Sequence, residues 1–141
     1  MPISKATASW DGTLTGGRGT MKPEHAPELP FSFGSRFEGT GGTNPEELVG
    51  ASLAGCFSMA LSLGLEKAGM TPQSIRTSAR VHLAKTGEGF SVPRIELSTE
   101  ARVAGGDEAQ FRAVAEETKR ACPIGKLLSS AEITLDARLM R

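Results

Sequence analysis

The sequence predicts an α+β domain in which antiparallel sheet wraps around a central buried helix. The longest apolar run, within residues 43–69, begins and ends with helix-boundary residues. Residues 75–85 alternate between apolar and polar side chains, as in a strand with one face in water. Turn residues separate neighbouring alternating segments, which is typical of antiparallel hairpins. The element order is therefore βββαββααβ, and the length suits one domain over residues 1–141.

The N-terminal part predicts three short extended segments. Asp11 and Gly12 form a turn signal after the first segment, so the first two form a hairpin. Three prolines then predict a loop. The segments are residues 3–10, the stretch around Thr20 and Met21, and residues 31–37, with the loop at 23–30.

The central helix has clear boundary residues. Asn44 can cap it, Pro45 suits the first helical position, and two glutamates in the first turn favour the helix dipole. Lys67 and Gly69 mark its end. Its side chains leave little polar face, so we expect other structure to enclose it on most sides.

Two strands, two helices and a final strand are predicted after the central helix. Pro93 places the second of these strands at an edge or at a bulge. Asp107 and Gln110 form a capping-box pattern before an amphipathic helix. Pro123 can open a further short helix, which makes Cys122 its cap residue. The segments are residues 75–85, 90–103, 108–120, 123–128 and 131–139.

The composition excludes several classes of function. Sixteen basic and sixteen acidic residues balance without long runs of either sign, so we expect no nucleic-acid or membrane partner. The first residues lack the apolar core of a signal peptide, and we expect a cytoplasmic protein with free thiols. Two histidines, His25 and His82, cannot make a His-rich metal site, and we expect no cofactor.

The two cysteines each allow two interpretations from the residues alone. Cys56, inside the apolar helix, is either a small core side chain or a thiol in a dry pocket. Cys122 precedes a proline at a helix start, where amides stabilise a thiolate, or it is only a cap. Arg36 and Glu46 read most simply as a loop arginine and a first-turn acid.

The stretch GSRFEGTGGTNPEELVGASLAGCFSMALS, with the later Ala121-Cys122-Pro123, closely resembles the OsmC/Ohr family of thiol-dependent peroxidases, specifically its OsmC branch. The similarity covers nearly the whole chain. It implies an intertwined homodimer with an OsmC-like fold and active sites near the interface. One departure is Leu53, which stands where close OsmC relatives have histidine, and it bears on the shape and polarity of the pocket.

The resemblance also implies site roles. Cys56 is the peroxidatic cysteine, Cys122 the resolving cysteine, Arg36 the arginine that holds the thiolate, and Glu46 the acid that orients this arginine. Apolar side chains then favour organic hydroperoxides over hydrogen peroxide, and an external dithiol reduces the disulfide. The expected substrate-binding residues are Phe33, Phe37, Phe57 and Met59. Family analogy suggests lipoylated proteins as the reductant.

Helix geometry constrains these roles. In a straight helix Glu46 and Cys56 lie about 15 Å apart, beyond what one arginine bridges. Either the chain breaks near residues 50–52, or another subunit completes the site, and we favour the break. The alternative function on the same fold is a non-catalytic redox sensor or a hydrophobic-ligand carrier. A cysteine hydrolase is poorly supported, because no motif places either histidine beside a thiol.

Overall fold

Three strands, a long helix, two strands, two shorter helices and a final strand follow one another along the chain, in the order that the sequence predicts. The computed structural model describes all 141 residues. They form two units, residues 1–48 and 49–141, and the boundary falls inside the long helix. The single domain expected over residues 1–141 stays a prediction.

Residues 1–48 contain a three-stranded antiparallel sheet in the order β1-β2-β3. The predicted hairpin is confirmed, with its turn at Gly12, whose φ of +102° favours glycine. The strands are β1 (Ala6–Asp11), β2 (Arg18–Pro23) and β3 (Leu29–Phe31).

The prediction of an extended segment over residues 31–37 is wrong. Strand β3 ends at Phe31, and residues Gly34–Glu38 form a single wide helical turn. Ser32 explains the difference, because its hydroxyl accepts from the Ser35 amide at 3.1 Å and its carbonyl accepts from the Arg36 amide at 3.1 Å. Such local hydrogen bonds compete with an extended strand.

Residues 49–141 contain a second sheet in the order β4-β5-β6. Strands β4 (Thr71–Thr86) and β5 (Gly89–Ala104) are antiparallel, whereas β5 and β6 (Glu132–Met140) are parallel. The second sheet is therefore mixed, which corrects the expectation of antiparallel sheet for this last pair. The two helices between β5 and β6 return the chain to the end of the sheet at which β5 begins. Strand β6 therefore runs in the same direction as β5, and the pair is parallel.

Pro93 lies at a bulge, one of the two positions that the sequence allows. The β4–β5 register shifts between His82 and Ala84, where Leu83 faces both Val92 and Pro93. The other position, an edge strand, is wrong, because β5 lies between β4 and β6.

Helix α1 (Pro45–Lys67) is unbroken, so the predicted break near residues 50–52 is wrong. Its start is as predicted, since the Asn44 side-chain oxygen accepts from the Glu47 amide at 2.8 Å. Gly50 serves contact with the sheet, because a Cβ there would lie 3.2 Å from a methyl group of Val81. A glycine that allows close packing against a sheet does not interrupt a helix.

One face of α1 is buried in this chain. The buried residues follow the spacing of a single helical stripe, and the opposite face exposes Met59 (78%) and Leu63 (52%). The prediction that other structure encloses α1 on most sides is therefore wrong within a single chain. By length and composition α1 also resembles a membrane-spanning helix, a property shared by core helices. The buried stripe is Gly50, Leu53, Phe57, Leu61 and Leu65.

Helix α2 (Glu108–Ala121) begins as predicted, because the Asp107 carboxylate accepts from the Gln110 amide at 2.8 Å. A full capping box also needs a hydrogen bond between the Gln110 side chain and the Asp107 amide, and this part of the prediction is wrong. The Gln110 side chain donates instead to the Ala68 carbonyl at 3.0 Å, after the end of α1. Helix α3 (Pro123–Leu127) follows, and the core combines α1, α2 and the sheet through Phe57, Leu61, Leu65, Ile95, Leu97, Phe111 and Ala115.

Candidate active site

Arg36 and Glu46 form a bidentate ion pair. The Arg36 Nε donates to Glu46 Oε1 at 2.9 Å, and Nη2 donates to Oε2 at 2.9 Å. The arginine lies on the helical turn and the glutamate in the first turn of α1. The arginine side chain is 36% exposed and the carboxylate only 14%. This fork fixes the plane of the guanidinium as well as its position.

Ser35 and Asn44 hold the turn that carries Arg36. The buried Ser35 hydroxyl donates to the Thr43 carbonyl at 2.6 Å, and the Asn44 side chain donates to the Ser35 carbonyl at 3.1 Å. The same Asn44 caps α1, so one side chain connects the arginine turn to the helix that carries Glu46. Ser35 is not among the predicted site residues, although its spacing of three residues from Ser32 is a usable signal.

A cavity of about 290 Å³ opens beside Arg36. Phe33 and Phe37, both predicted to bind substrate, line it, and their ring centroids lie 5.0 Å apart. The Arg36 guanidinium lies over the Phe37 ring at 5.5 Å, which supplies the apolar setting that this charge needs. The walls are completed by Ser32 and by three residues that are not among the predicted site residues, Trp10, Leu14 and Phe31. The pairing of β1 and β3 with β2 brings Trp10 beside Phe31 at this cavity.

Phe57 and Met59, the other two expected substrate-binding residues, have different surroundings. Phe57 is fully buried in the core, so it offers a substrate no surface within this chain. Met59 is 78% exposed on the open face of α1. Their spacing explains the different surroundings, because residues two apart on one helix lie on nearly opposite faces.

Cys122 is the cap residue of α3, as predicted. Its Sγ accepts from the Gly125 amide at 3.2 Å, and the residue is 1% exposed. Burial raises the pKa of the Cys122 thiol, the Gly125 amide opposes this, and the neighbouring Cys56 side chain raises the pKa further. Burial is the largest of these effects.

Gly125 allows that close approach. A Cβ on Gly125 would lie 3.1 Å from the Cys122 Sγ and 2.9 Å from the Lys119 carbonyl oxygen. Gly125 is not among the predicted site residues, although a glycine three positions after a cap cysteine is a usable signal. Leu53, the departure from the family pattern, is buried in the same region, with its Cδ1 3.9 Å from that Cβ position.

Cys56 lies beside Cys122, close enough to influence its titration. Both are free thiols, and Cys56 is the more exposed of the two. No local pattern joins these cysteines in sequence, and the fold brings them together by packing α1 near the start of α3.

His82 is engaged elsewhere, on the outer face of the second sheet. Its Nε2 lies 2.5 Å from Glu96 Oε1, which also accepts from Arg94 Nη2 at 2.6 Å. His25 is exposed. No group of three or more His, Cys, Asp and Glu side chains is placed to hold a metal ion.

Residues 37–138 match the OsmC-like protein family. The chain is 47% identical over 137 residues to Peroxiredoxin OsmC of Escherichia coli strain K12, covering 96% of this chain and 95% of that protein. A solved OsmC-like protein from Mycoplasma pneumoniae has a TM-score of 0.76 at 15% identity, covering 99% of both chains. The organic hydroperoxide resistance protein OsmC from Legionella pneumophila has a TM-score of 0.72 at 19% identity, covering 98% of this chain and 99% of that one. The two structures have the same fold as this chain, and the sequence matches show that the chain belongs to the OsmC-like protein family.

Proposed function

We propose that this protein is a cysteine-based peroxidase that reduces organic hydroperoxides to alcohols and hydrogen peroxide less well. Its 47% identity to a peroxiredoxin over nearly the whole chain makes it a thiol peroxidase. The observation that carries the two-cysteine cycle is the placement of the free thiols of Cys56 and Cys122 beside each other.

The cycle has three balanced steps. The Cys56 thiolate attacks the O–O bond, takes one oxygen as a sulfenic acid, and releases an alkoxide that gains a proton to become the alcohol. The Cys122 sulfur then attacks the sulfenic sulfur, which forms the disulfide and releases water. An external dithiol reduces this disulfide to two thiols and is itself oxidised. Family analogy suggests a lipoylated protein for that role, in the cytoplasm.

Arg36, held by Glu46, stabilises the thiolate and then the departing alkoxide in this proposal. Because α1 is unbroken, ten residues separate Glu46 from Cys56, about 15 Å along the axis. We therefore assign the Arg36–Glu46 pair to Cys56 of the partner subunit in a homodimer. The exposed apolar face of α1, with Met59 and Leu63, supports burial against a second copy.

The preference for organic hydroperoxides is supported by the walls of the cavity beside Arg36. They are largely aromatic, so an apolar substituent gains by leaving water there, whereas hydrogen peroxide has no such substituent.

Two cysteine variants test the proposal. With cumene hydroperoxide and dithiothreitol, Cys56→Ser should lose turnover, because the residue that accepts oxygen is gone. Without any dithiol, Cys122→Ser should consume one peroxide per chain to form the Cys56 sulfenic acid and a second to form the sulfinic acid, whereas wild type stops at the disulfide. Sustained turnover by Cys56→Ser would refute the assignment, and resistance of Cys122→Ser to sulfinic oxidation equal to that of wild type would remove the resolving role.

A further inference from the structure

We propose that Trp10 is the residue that selects among hydroperoxides, favouring those that carry an aromatic or similarly bulky apolar group. This inference rests on the proposed function and adds a specificity residue to it. Trp10 is the only tryptophan of the chain, is partly buried, and lines the cavity beside Arg36.

The strand pairing builds the wall that contains Trp10. Trp10 on β1 and Phe31 on β3 both stand opposite Gly19, which lies between them on β2. Their ring centroids lie 5.3 Å apart at an interplanar angle of 52°. A Cβ on Gly19 would come within 2.7 Å of both rings. The glycine therefore leaves room for the two rings to meet, and Phe31 holds the indole in place.

The opposite wall and the charge define the orientation of a ligand. Phe33 and Phe37 form the second aromatic pair, and Arg36 supplies the only charged group that lines the cavity. A hydroperoxide that directs its oxygens toward the guanidinium places its carbon substituent between the two aromatic pairs. Leu14 is 63% exposed, so it contributes less than the indole to this contact.

The size of the substituent then decides how much is gained. A cumyl group is large enough to cover the indole, a tert-butyl group covers little of it, and hydrogen peroxide covers none. Removing the indole should therefore lower the reaction rate most with cumene hydroperoxide, less with tert-butyl hydroperoxide and least with hydrogen peroxide.

The kinetic test follows thiol loss in reduced wild type, Trp10→Ala, Trp10→Phe and the control Thr7→Ala, an exposed β1 residue outside the cavity. For Trp10→Ala we expect the second-order rate constant to fall about tenfold with cumene hydroperoxide, equivalent to about 1.4 kcal/mol. The rate with hydrogen peroxide should stay within about twofold, which also verifies folding. Trp10→Phe should retain most of the preference. An equal loss with all peroxides, or no loss with cumene hydroperoxide, would overturn the proposal.

A second measurement needs no activity. Cumyl alcohol should change the fluorescence of Trp10 in wild-type protein saturably, and tert-butanol at equal concentration should not. A wild type that consumes no peroxide would refute the proposed function, and this titration would still decide the preference of the cavity. A response that is absent, or the same for both alcohols, would overturn the role of Trp10.

Discussion

Two opposing effects act on the pKa of the Cys122 thiol. Burial raises its pKa, whereas the Gly125 amide, donating to Sγ at 3.2 Å, stabilises the thiolate. Because burial is the larger effect, Cys122 stays protonated near neutral pH. In the proposed cycle, a protonated Cys122 suits a residue that reacts only after Cys56 has been oxidised to the electrophilic sulfenic acid.

The burial and the raised pKa of Cys122 predict the order in which the two thiols are alkylated. In reduced protein near neutral pH, we expect iodoacetamide to modify Cys56 first and Cys122 at least about tenfold more slowly, because the thiolate is the nucleophile and Cys122 is buried. Peptide mass spectrometry at timed intervals measures both rates. Gly125→Ala, which crowds Sγ, should speed modification of Cys122. Equal rates at the two cysteines in the wild type would contradict this account.

Residue-level prediction from sequence succeeded where a local rule applied. A cysteine before a proline at a helix start is a cap, and Cys122 is one. Arg36 and Glu46 were paired by family resemblance, and the structure places them in a fork. Trp10 was not identified, because its place in the cavity depends on the pairing of three strands. Periodicity assigns a strand and does not say which side chains of separate strands meet.

At the scale of elements, helix starts and strands were predictable, whereas pairing and continuity were not. Asn44 and Asp107 cap their helices as expected. The predicted break in α1 is wrong because it is inferred from the distance between Glu46 and Cys56 within one chain, whereas Gly50 packs against β4 in a continuous helix. The parallel β5–β6 pair escaped prediction because alternation is the same in parallel and antiparallel strands.

The outer face of the β4–β5 pair carries a pH-dependent contribution to stability. Hydrogen bonds from Arg94 and His82 lower the pKa of Glu96 from 4.5 to about 2. A carboxyl group whose pKa is lowered by folding stabilises the folded state above its unfolded pKa, and this is lost as the pH falls from about 4.5 to about 2.

Glu96→Gln tests that contribution. Its melting temperature should be lower than that of wild type near pH 6, and the difference should shrink below pH 4.5 and vanish only below about pH 2. The effect should be small, because the pair is exposed to solvent. Glu88→Gln, in the β4–β5 turn, is the matched control and should leave the melting temperature unchanged. A difference that grows as the pH falls would contradict the sign of this effect.

At the scale of the whole molecule, one chain leaves an apolar helix face open. Met59 and Leu63 are exposed on α1, and the unbroken helix separates Glu46 from Cys56. Both observations support the proposed homodimer in which Arg36 serves Cys56 of the partner subunit. Family resemblance suggested a dimer, and the residues alone did not require one.

Mixed dimers test that assignment. Arg36→Ala and Cys56→Ser homodimers should each be largely inactive, because every site lacks one residue. After joint refolding, half of the dimers are mixed and carry one complete site of two, so activity should return to about a quarter of wild type. Native mass spectrometry verifies that mixed dimers form. Mixed dimers without activity would place Arg36 and Cys56 of one site in the same chain.

The most direct measurement of the central claim is a thiol count with intact mass after reduced protein meets one equivalent of cumene hydroperoxide, beside an equal dose of hydrogen peroxide. We predict rapid loss of both thiols with a mass decrease of about 2 Da, faster with the organic peroxide, because Cys56 and Cys122 form a disulfide. Two thiols that persist at unchanged mass would contradict the account and leave Cys56 a core residue and Cys122 a helix cap.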